Sequence, residues 1–504
     1  MSLLAPMSTD WFTFIFWTLR KSKLKPGGGF ASSAIHLVRD EPPPTTGDTP
    51  TLAEALGRPL RVALRYDSGA DPLTPLPFEV IPVDRLSASI PLYDLHDRWP
   101  SAAAAASDLK ARFGTPPEPS WGDVHDPAVL TRLATQGIGA HLLRRRAADG
   151  TGYEIDLLSM ARYPVRAPYE PYGARLLLSA DLAPEAIERG GVVARRGDAA
   201  WDRFVLAFEA SLATWVTTVD HSLTVHFAMA GTLDLALRLA LPEGHPLRDV
   251  LTPLTFATTA VNSSGVYSLL ARGAYFGRIF AFSYEGLCAL LADGAAEVRW
   301  QTLPERLAEQ GLTGPGAPAA ESLPFAADAL LWWDAIDRFV AGVLERWADP
   351  ADPAVASLVT AWMGLLPQAR FAADGPRPAL RRMLSTSIFW ITVMHELVGD
   401  VIGYVQDPTW MPVKIRPGSA EDQTLYKQDA VQKMILGVLT AEIEMPLILD
   451  DLGPVFPDAE MGRAWASFQT DVRAVGDSIA GRNALRRSPF ATLAPERIHV
   501  SVSL

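Results

Sequence analysis

Cysteine is almost missing from the chain. One thiol, Cys288, in 504 residues leaves no internal disulfide to form. Its apolar surroundings predict a buried, inert side chain. Basic residues are also short: 45 Lys and Arg against 57 Asp and Glu give a net charge of -12, with no basic cluster interleaved with aromatics. Nucleic acid is excluded as a partner on that ground. No glycine-rich phosphate loop is present, because Lys25-Pro26-Gly27-Gly28-Gly29 lacks both the spacing and the strand-to-helix context. The Gly-x-Ser-x-Gly elbow of hydrolases and the carboxylate pair of glycosidases find no candidate either. A secretory signal is not expected either, since the aromatic run 11–17 precedes its charges, Arg20, Lys21, Lys23 and Lys25, rather than following them. That run is also too short to span a bilayer. The expected location is cytoplasmic, with peripheral membrane contact open to the aromatic segment.

What the chain has is hydrophobic content, 48% of its residues, enough for a large core. Residues 1–90 read as an N-terminal extension: a lid, a membrane-interface helix or a helix docked on the body of the protein, then a connection rich in Pro and Gly that includes Pro42-Pro43-Pro44. Residues 94–112 read as helix, and Asp126-Pro127 opens a short helix ending near Gly137. Strand character follows at 153–158 and 175–178. From Trp201 onward the pattern becomes long helices separated by Pro and Gly clusters near 242–246, 313–324, 349–353, 374–378, 407–418 and 453–457. Several of these helices, 201–241, 379–405 and 425–445, are apolar on more than one face and belong in the centre of a large body. The fold class is therefore mainly α, with a small mixed α/β and loop portion before residue 200.

Two histidines, His221 and His226, lie inside the apolar run that begins at Trp201. In a regular helix positions i and i+5 point roughly 140° apart, so their imidazoles would not meet. A π-type turn brings i and i+5 onto one face, and such turns concentrate at functional sites. The spacing is either idle, two separately hydrogen-bonded core histidines, or purposeful. A third histidine, His395, sits in another apolar helical stretch, 388–400. The pair His395-Glu396 suggests a zinc protease, but that motif needs a second histidine where this chain has Gly399.

The order of these features resembles the lipoxygenases. The resemblance rests on His221-x4-His226, a distant third histidine on a core helix, and a chain ending Pro495-Glu496-Arg497-Ile498-His499-Val500-Ser501-Val502-Ser503-Leu504. Further similar stretches are Tyr163-Pro164-Val165-Arg166, Glu170-Pro171-Tyr172-Gly173-Ala174, His245-Pro246 and Asn262. Leu323-Pro324-Phe325 through Leu330, Trp333-Asp334-Ala335-Ile336, Gly481-Arg482-Asn483 and Ser488-Pro489-Phe490 add to them. The similarity runs from about residue 90 to the end, so that 91–504 is expected to be a lipoxygenase-like catalytic domain. No β-sandwich lipid-targeting domain is evident before it, which is similar to bacterial members.

The resemblance implies a non-haem iron, Fe2+/Fe3+, held by His221, His226, His395 and the terminal carboxylate of Leu504; manganese suits the same ligand types. It also implies hydrogen abstraction from a bis-allylic carbon of a polyunsaturated fatty acid and addition of O2, with no catalytic group beyond metal-bound hydroxide. The family's usual Asn four residues after the third histidine is Gly399 here. Water is expected in its place, with Asp400 at i+5 as the alternative ligand. Ala271 and Gly273 fall near the position where the family's Ala or Gly influences oxygen insertion. Two other readings stay open: a metal oxidase or isomerase acting on another lipid-like or natural-product substrate, and a non-catalytic lipid-binding protein. The remaining histidines, His36, His96, His125, His141, His245 and His499, are expected to be structural.

Overall fold

The computed structural model describes residues 35–39 and 62–66 and, with short gaps, 128–399, 411–418 and 446–502. The aromatic run 11–17, the stretches 94–112 and 425–445, and Ala271, Gly273, Asp400 and Leu504 lie outside the described residues. Strands β1 (Ile35–Arg39) and β2 (Val62–Tyr66) pair antiparallel within the extended connection. A short helix, α1 (Val129–Thr135), then leads into an antiparallel sheet.

That sheet runs in sequence order through β3 (Arg144–Arg145), β4 (Tyr153–Asp156), β5 (Arg175–Leu178), β6 (Pro184–Arg189) and β7 (Val192–Arg195). Its register aligns Ile155, Leu176, Ile187 and Ala194 in one cross-strand row, all 2% exposed or less, which forms the buried face. On the other face Arg175 pairs with Glu188 and reaches Glu154 at 3.5 Å. Strands β4 and β5 match the expected strand character. β6 and β7 were not foreseen, because Pro-Glu-Ala-Ile-Glu-Arg carries helix-forming residues and no alternation. A two-residue turn overrides that propensity: Gly190 and Gly191 both take positive φ, 57° and 78°, the geometry that lets two strands fold back.

The centre of the molecule is α2 (Trp201–Ala240), a 40-residue helix. By length and composition it could cross a membrane, yet 72% of its apolar window is buried inside the protein. Its first part, Trp201–Trp215, packs on β6 and its last part, Thr232–Ala240, against α8. Between them Val216–Gly231 is a π-helix of 16 residues, longer than a single wide turn. Hydroxyls crowd its start: Thr217 and Thr218 donate to the carbonyls of Ala213 and Thr214 at 2.7 and 2.6 Å, and Ser222 to that of Thr217, five residues back, at 2.7 Å. Such back-bonding competes with the i to i−4 ladder and loosens an α-helix.

Around this axis stand α3 (Pro246–Leu251), α4 (Tyr275–Ile279), α5 (Tyr284–Glu297), α6 (Leu303–Glu309), α7 (Pro324–Trp347) and α8 (Pro353–Leu365). They are joined by α9 (376–399) and α10 (Ala459–Asn483). Their starts follow capping chemistry in the sequence. Thr302 and Glu305 form a capping box on α6, and Asp352 followed by Pro353 opens α8. The breaks expected near 242–246, 313–324, 349–353, 374–378 and 453–457 all fall between these helices or at their first residues. Helix α9 also contains a π segment, Trp390–Met394, and it packs against the π segment of α2. Cys288, expected to be buried, is exposed on α5; Leu287 and Leu290 face inward, and the thiol does not.

Candidate metal centre

The two π segments carry the site. His221 and His226 extend from α2, and His395 from α9 immediately after its π turn. One nitrogen from each of the three rings lies within 4.8 Å of the others. Ring centroids are separated by 4.7 Å (His221–His226), 5.1 Å (His221–His395) and 5.4 Å (His226–His395). The i, i+5 pair therefore converges through the wide helical ring, as the spacing required. His226 and His395 are buried, and His221 is half-buried.

Desolvation lowers the His221 pKa well below its ordinary value, and the neighbouring His226 and His395 push it the same way. His226 falls to about 3 for the same first reason, with His395 adding and a bond to Asn262 opposing. Both rings are therefore neutral at pH 7, the state in which imidazole offers a lone pair. Asn262 sets the tautomer of His226. Its Nδ2 donates to the His226 carbonyl at 2.6 Å, which turns Oδ1 toward Nδ1 of the ring at 3.0 Å. Nδ1 must then carry the proton, leaving Nε2 bare. That bare Nε2 lies 3.3 Å from Nε2 of His221. Two imidazole nitrogens each about 2.1 Å from one divalent ion, at a right angle, would stand about 3 Å apart. The donor set fits a metal ion.

Gly231 makes the Asn262 contact feasible. A Cβ there would lie 3.0 Å from Nδ2 of Asn262 and 3.1 Å from the His226 carbonyl, tight against both. Position 399 also faces the cluster: a Cβ built on Gly399 would lie 3.6 Å from Nε2 of His221 and 4.0 Å from Cε1 of His395. Gly399 places no side chain there.

Three residues at this site escaped the sequence reading. Asn262 was noted only as a point of resemblance. His141, expected to be peripheral, is buried and bonds through Nε2 to Asp220 at 2.9 Å, one residue before His221. Arg306 and Gln310 hold its carbonyl at 3.2 and 2.8 Å. Glu396 was set aside with the zinc-protease motif, yet its carboxylate meets both His395 and His499. Burial pushes Glu396 up, but the charge of His499 and the bonds from His395 and His499 prevail, and its pKa falls to about 2. The signal that could have found these residues is three-dimensional only. His245 does what its place before Pro246 predicted: it caps α3 by accepting from the Leu247 amide at 3.2 Å.

No family model matches the chain. It is 24% identical over 345 residues to the arachidonate 12-lipoxygenase, 12R-type, of Rattus norvegicus, covering 61% of this chain and 47% of that protein. It is 25% identical over 320 residues to the linoleate 9/13-lipoxygenase of Pseudomonas aeruginosa, covering 56% of this chain and 46% of the relative. The chain thus spans about half the length of these relatives in the matched region. Among solved structures, coral 8R-lipoxygenase superposes with a TM-score of 0.69 at 17% identity, covering 83% of this chain and 73% of that one. The helical architecture is that of a lipoxygenase catalytic body. On sequence and fold together, the chain is similar to the lipoxygenases, at low identity.

Proposed function

We propose that this chain is a non-haem iron dioxygenase acting on polyunsaturated fatty acids with O2. The observation that carries the reading is the buried convergence of His221, His226 and His395, two of them held neutral by their surroundings. Those three imidazoles would hold the iron, and by family resemblance the carboxylate of Leu504 would complete the protein's ligands. Bound there, iron would supply the one-electron chemistry that removes a hydrogen atom from a bis-allylic carbon. The chain's own part is to hold geometry and exclude water. Asn262 fixes the face that His226 presents, and the buried side chains of Phe227, next to His226, and Leu397, two residues after His395, keep the surroundings apolar. No side chain among the described residues is assigned as a separate acid or base.

Gly399 supports a second reading. Where relatives in the family carry an amide, this position offers no donor, which leaves more of the coordination sphere open and suits a metal oxidase or isomerase on another lipid-like substrate.

Metal analysis of untagged protein, followed in the same sample by oxygen uptake and conjugated-diene absorbance with linoleic and arachidonic acids, tests both. About one iron per chain with coupled uptake and diene formation is the expected result. Iron without diene would favour the second reading, and protein that binds no metal would overturn both.

A further inference from the structure

The carboxylate of Glu396 occupies a junction between two elements far apart in sequence. On one side Oε1 lies 3.5 Å from Nδ1 of His395, the third histidine of the cluster. On the other it is in close contact with Nδ1 of His499 and lies 3.4 Å from the His499 backbone nitrogen. The His395 and His499 rings stand 6.5 Å apart at 90°. His499 belongs to an extended arm, 498–502, in which Ile498, Val500 and Val502 are each fully buried. The arm is pinned by the Ile448 amide donating to the Ile498 carbonyl at 2.8 Å and the Val500 amide donating to the Pro446 carbonyl at 3.0 Å. The Ser501 hydroxyl adds a bond to the Phe256 carbonyl at 2.9 Å.

From this geometry we infer that Glu396 is a positioning residue that locks the third histidine and the C-terminal arm to one another. Toward His395 it faces Nδ1 at 3.5 Å, an electrostatic contact that favours the ring's proton on that nitrogen and so leaves Nε2 as the one the ring can offer a metal. A carboxylate behind a ligating imidazole orients the ring and raises its basicity. Toward His499 it clamps the arm through a ring and a backbone donor at once, so that the arm cannot shift along α9 without breaking both. One carboxylate thus couples a ligand on α9 to the segment that ends the chain. The metal half of this inference rests on the function proposed above; the clamp half does not.

The test uses the full-length, untagged protein with the substitutions E396Q, E396A and H499A. Metal affinity is read with Co(II) against a chelator, and hydrogen–deuterium exchange of 495–502 is read in metal-free protein. E396A should weaken Co(II) binding by about 10–100-fold and speed exchange in the arm. H499A should speed exchange to a similar extent while weakening Co(II) less. The combined E396A/H499A variant should exchange no faster than E396A, because one contact has been removed twice. E396Q preserves volume and helix, so it reports on the same contacts if E396A does not fold. Wild-type Co(II) affinity together with unchanged arm exchange in E396Q would overturn the inference, as would a second bound Co(II) that is lost in H499A, which would make the three residues a ligand set. Full Co(II) binding by H221A would instead refute the metal reading and leave the exchange result to judge the clamp alone.

Discussion

Asn262 grips His226 at two points, taking its carbonyl with Nδ2 at 2.6 Å and its Nδ1 with Oδ1 at 3.0 Å. Backbone and ring are fixed by one amide, so Asn262→Ala should release both. The loss of the two buried bonds should cost about 1–3 kcal/mol of stability, and metal affinity should fall by about 10–100-fold. Denaturant unfolding and chelator competition measure the two effects separately. Unchanged metal affinity would mean that apolar packing alone orients the ring.

The three histidines and the last residue are expected to act as a set. His221→Ala, His226→Ala and His395→Ala should each abolish metal retention, and a residue appended after Leu504 should strongly reduce it. Iron per chain after desalting is the readout. Full loading of any one variant would remove that group from the ligands.

Gly399→Ala should be tolerated. The new methyl would meet Nε2 of His221 at 3.6 Å, ordinary van der Waals contact, and alanine favours the helix by up to about 1 kcal/mol. A higher melting temperature with metal content retained is expected. Gly399→Leu, by contrast, would drive branched carbons into the space between His221 and His395 and should displace the metal; a loaded Leu variant would show that position 399 does not face the ion.

Acid should weaken the metal-free protein. Well above pH 6.5 His221 and His226 are neutral in both folded and unfolded chains and contribute no pH dependence. Below 6.5 the unfolded chain takes up protons that folded His226, with its pKa near 3, refuses. Stability is therefore lost as pH falls from 6.5 toward 3, at about 1.4 kcal/mol per pH unit for that group, with His221 shifted in the same direction. Urea midpoints across this range should decline, and His226→Ala should flatten the slope. An unaltered slope in that variant would assign the dependence elsewhere.

Asp328 offers a control remote from the cluster. Its carboxylate is fully buried on α7 and accepts from Arg482 at 2.8 Å and from Arg486 at 2.6 and 2.8 Å. Asp328→Ala strands two guanidinium groups, one of them nearly buried, and should cost about 3–5 kcal/mol. Thermal melts would show it, while metal stoichiometry in the folded fraction should stay at the wild-type value.

The helical breaks and the i, i+5 histidine pair were legible because they depend on local chemistry: proline at first helical positions, capping side chains, and the angle per residue. The length of the π segment was not, since it comes from a run of back-bonding hydroxyls whose competition with the ladder is cumulative. Strand β6 was invisible for the opposite reason, its residues preferring helix until a Gly-Gly turn and the neighbouring strand decide otherwise, and β7 is only four residues long. Glu396, Asn262 and His141 act on residues brought near by folding, and no spacing along the chain announces such partners.

Cys288 stands alone in the sequence and exposed on α5, a helix that lies directly against the π segment bearing His221 and His226. A thiol-reactive label would therefore attach at one place without any engineered background. A nitroxide fixed there would sense the magnetic moment of an ion at the histidines, turning a residue with no chemical duty into a built-in gauge of occupancy.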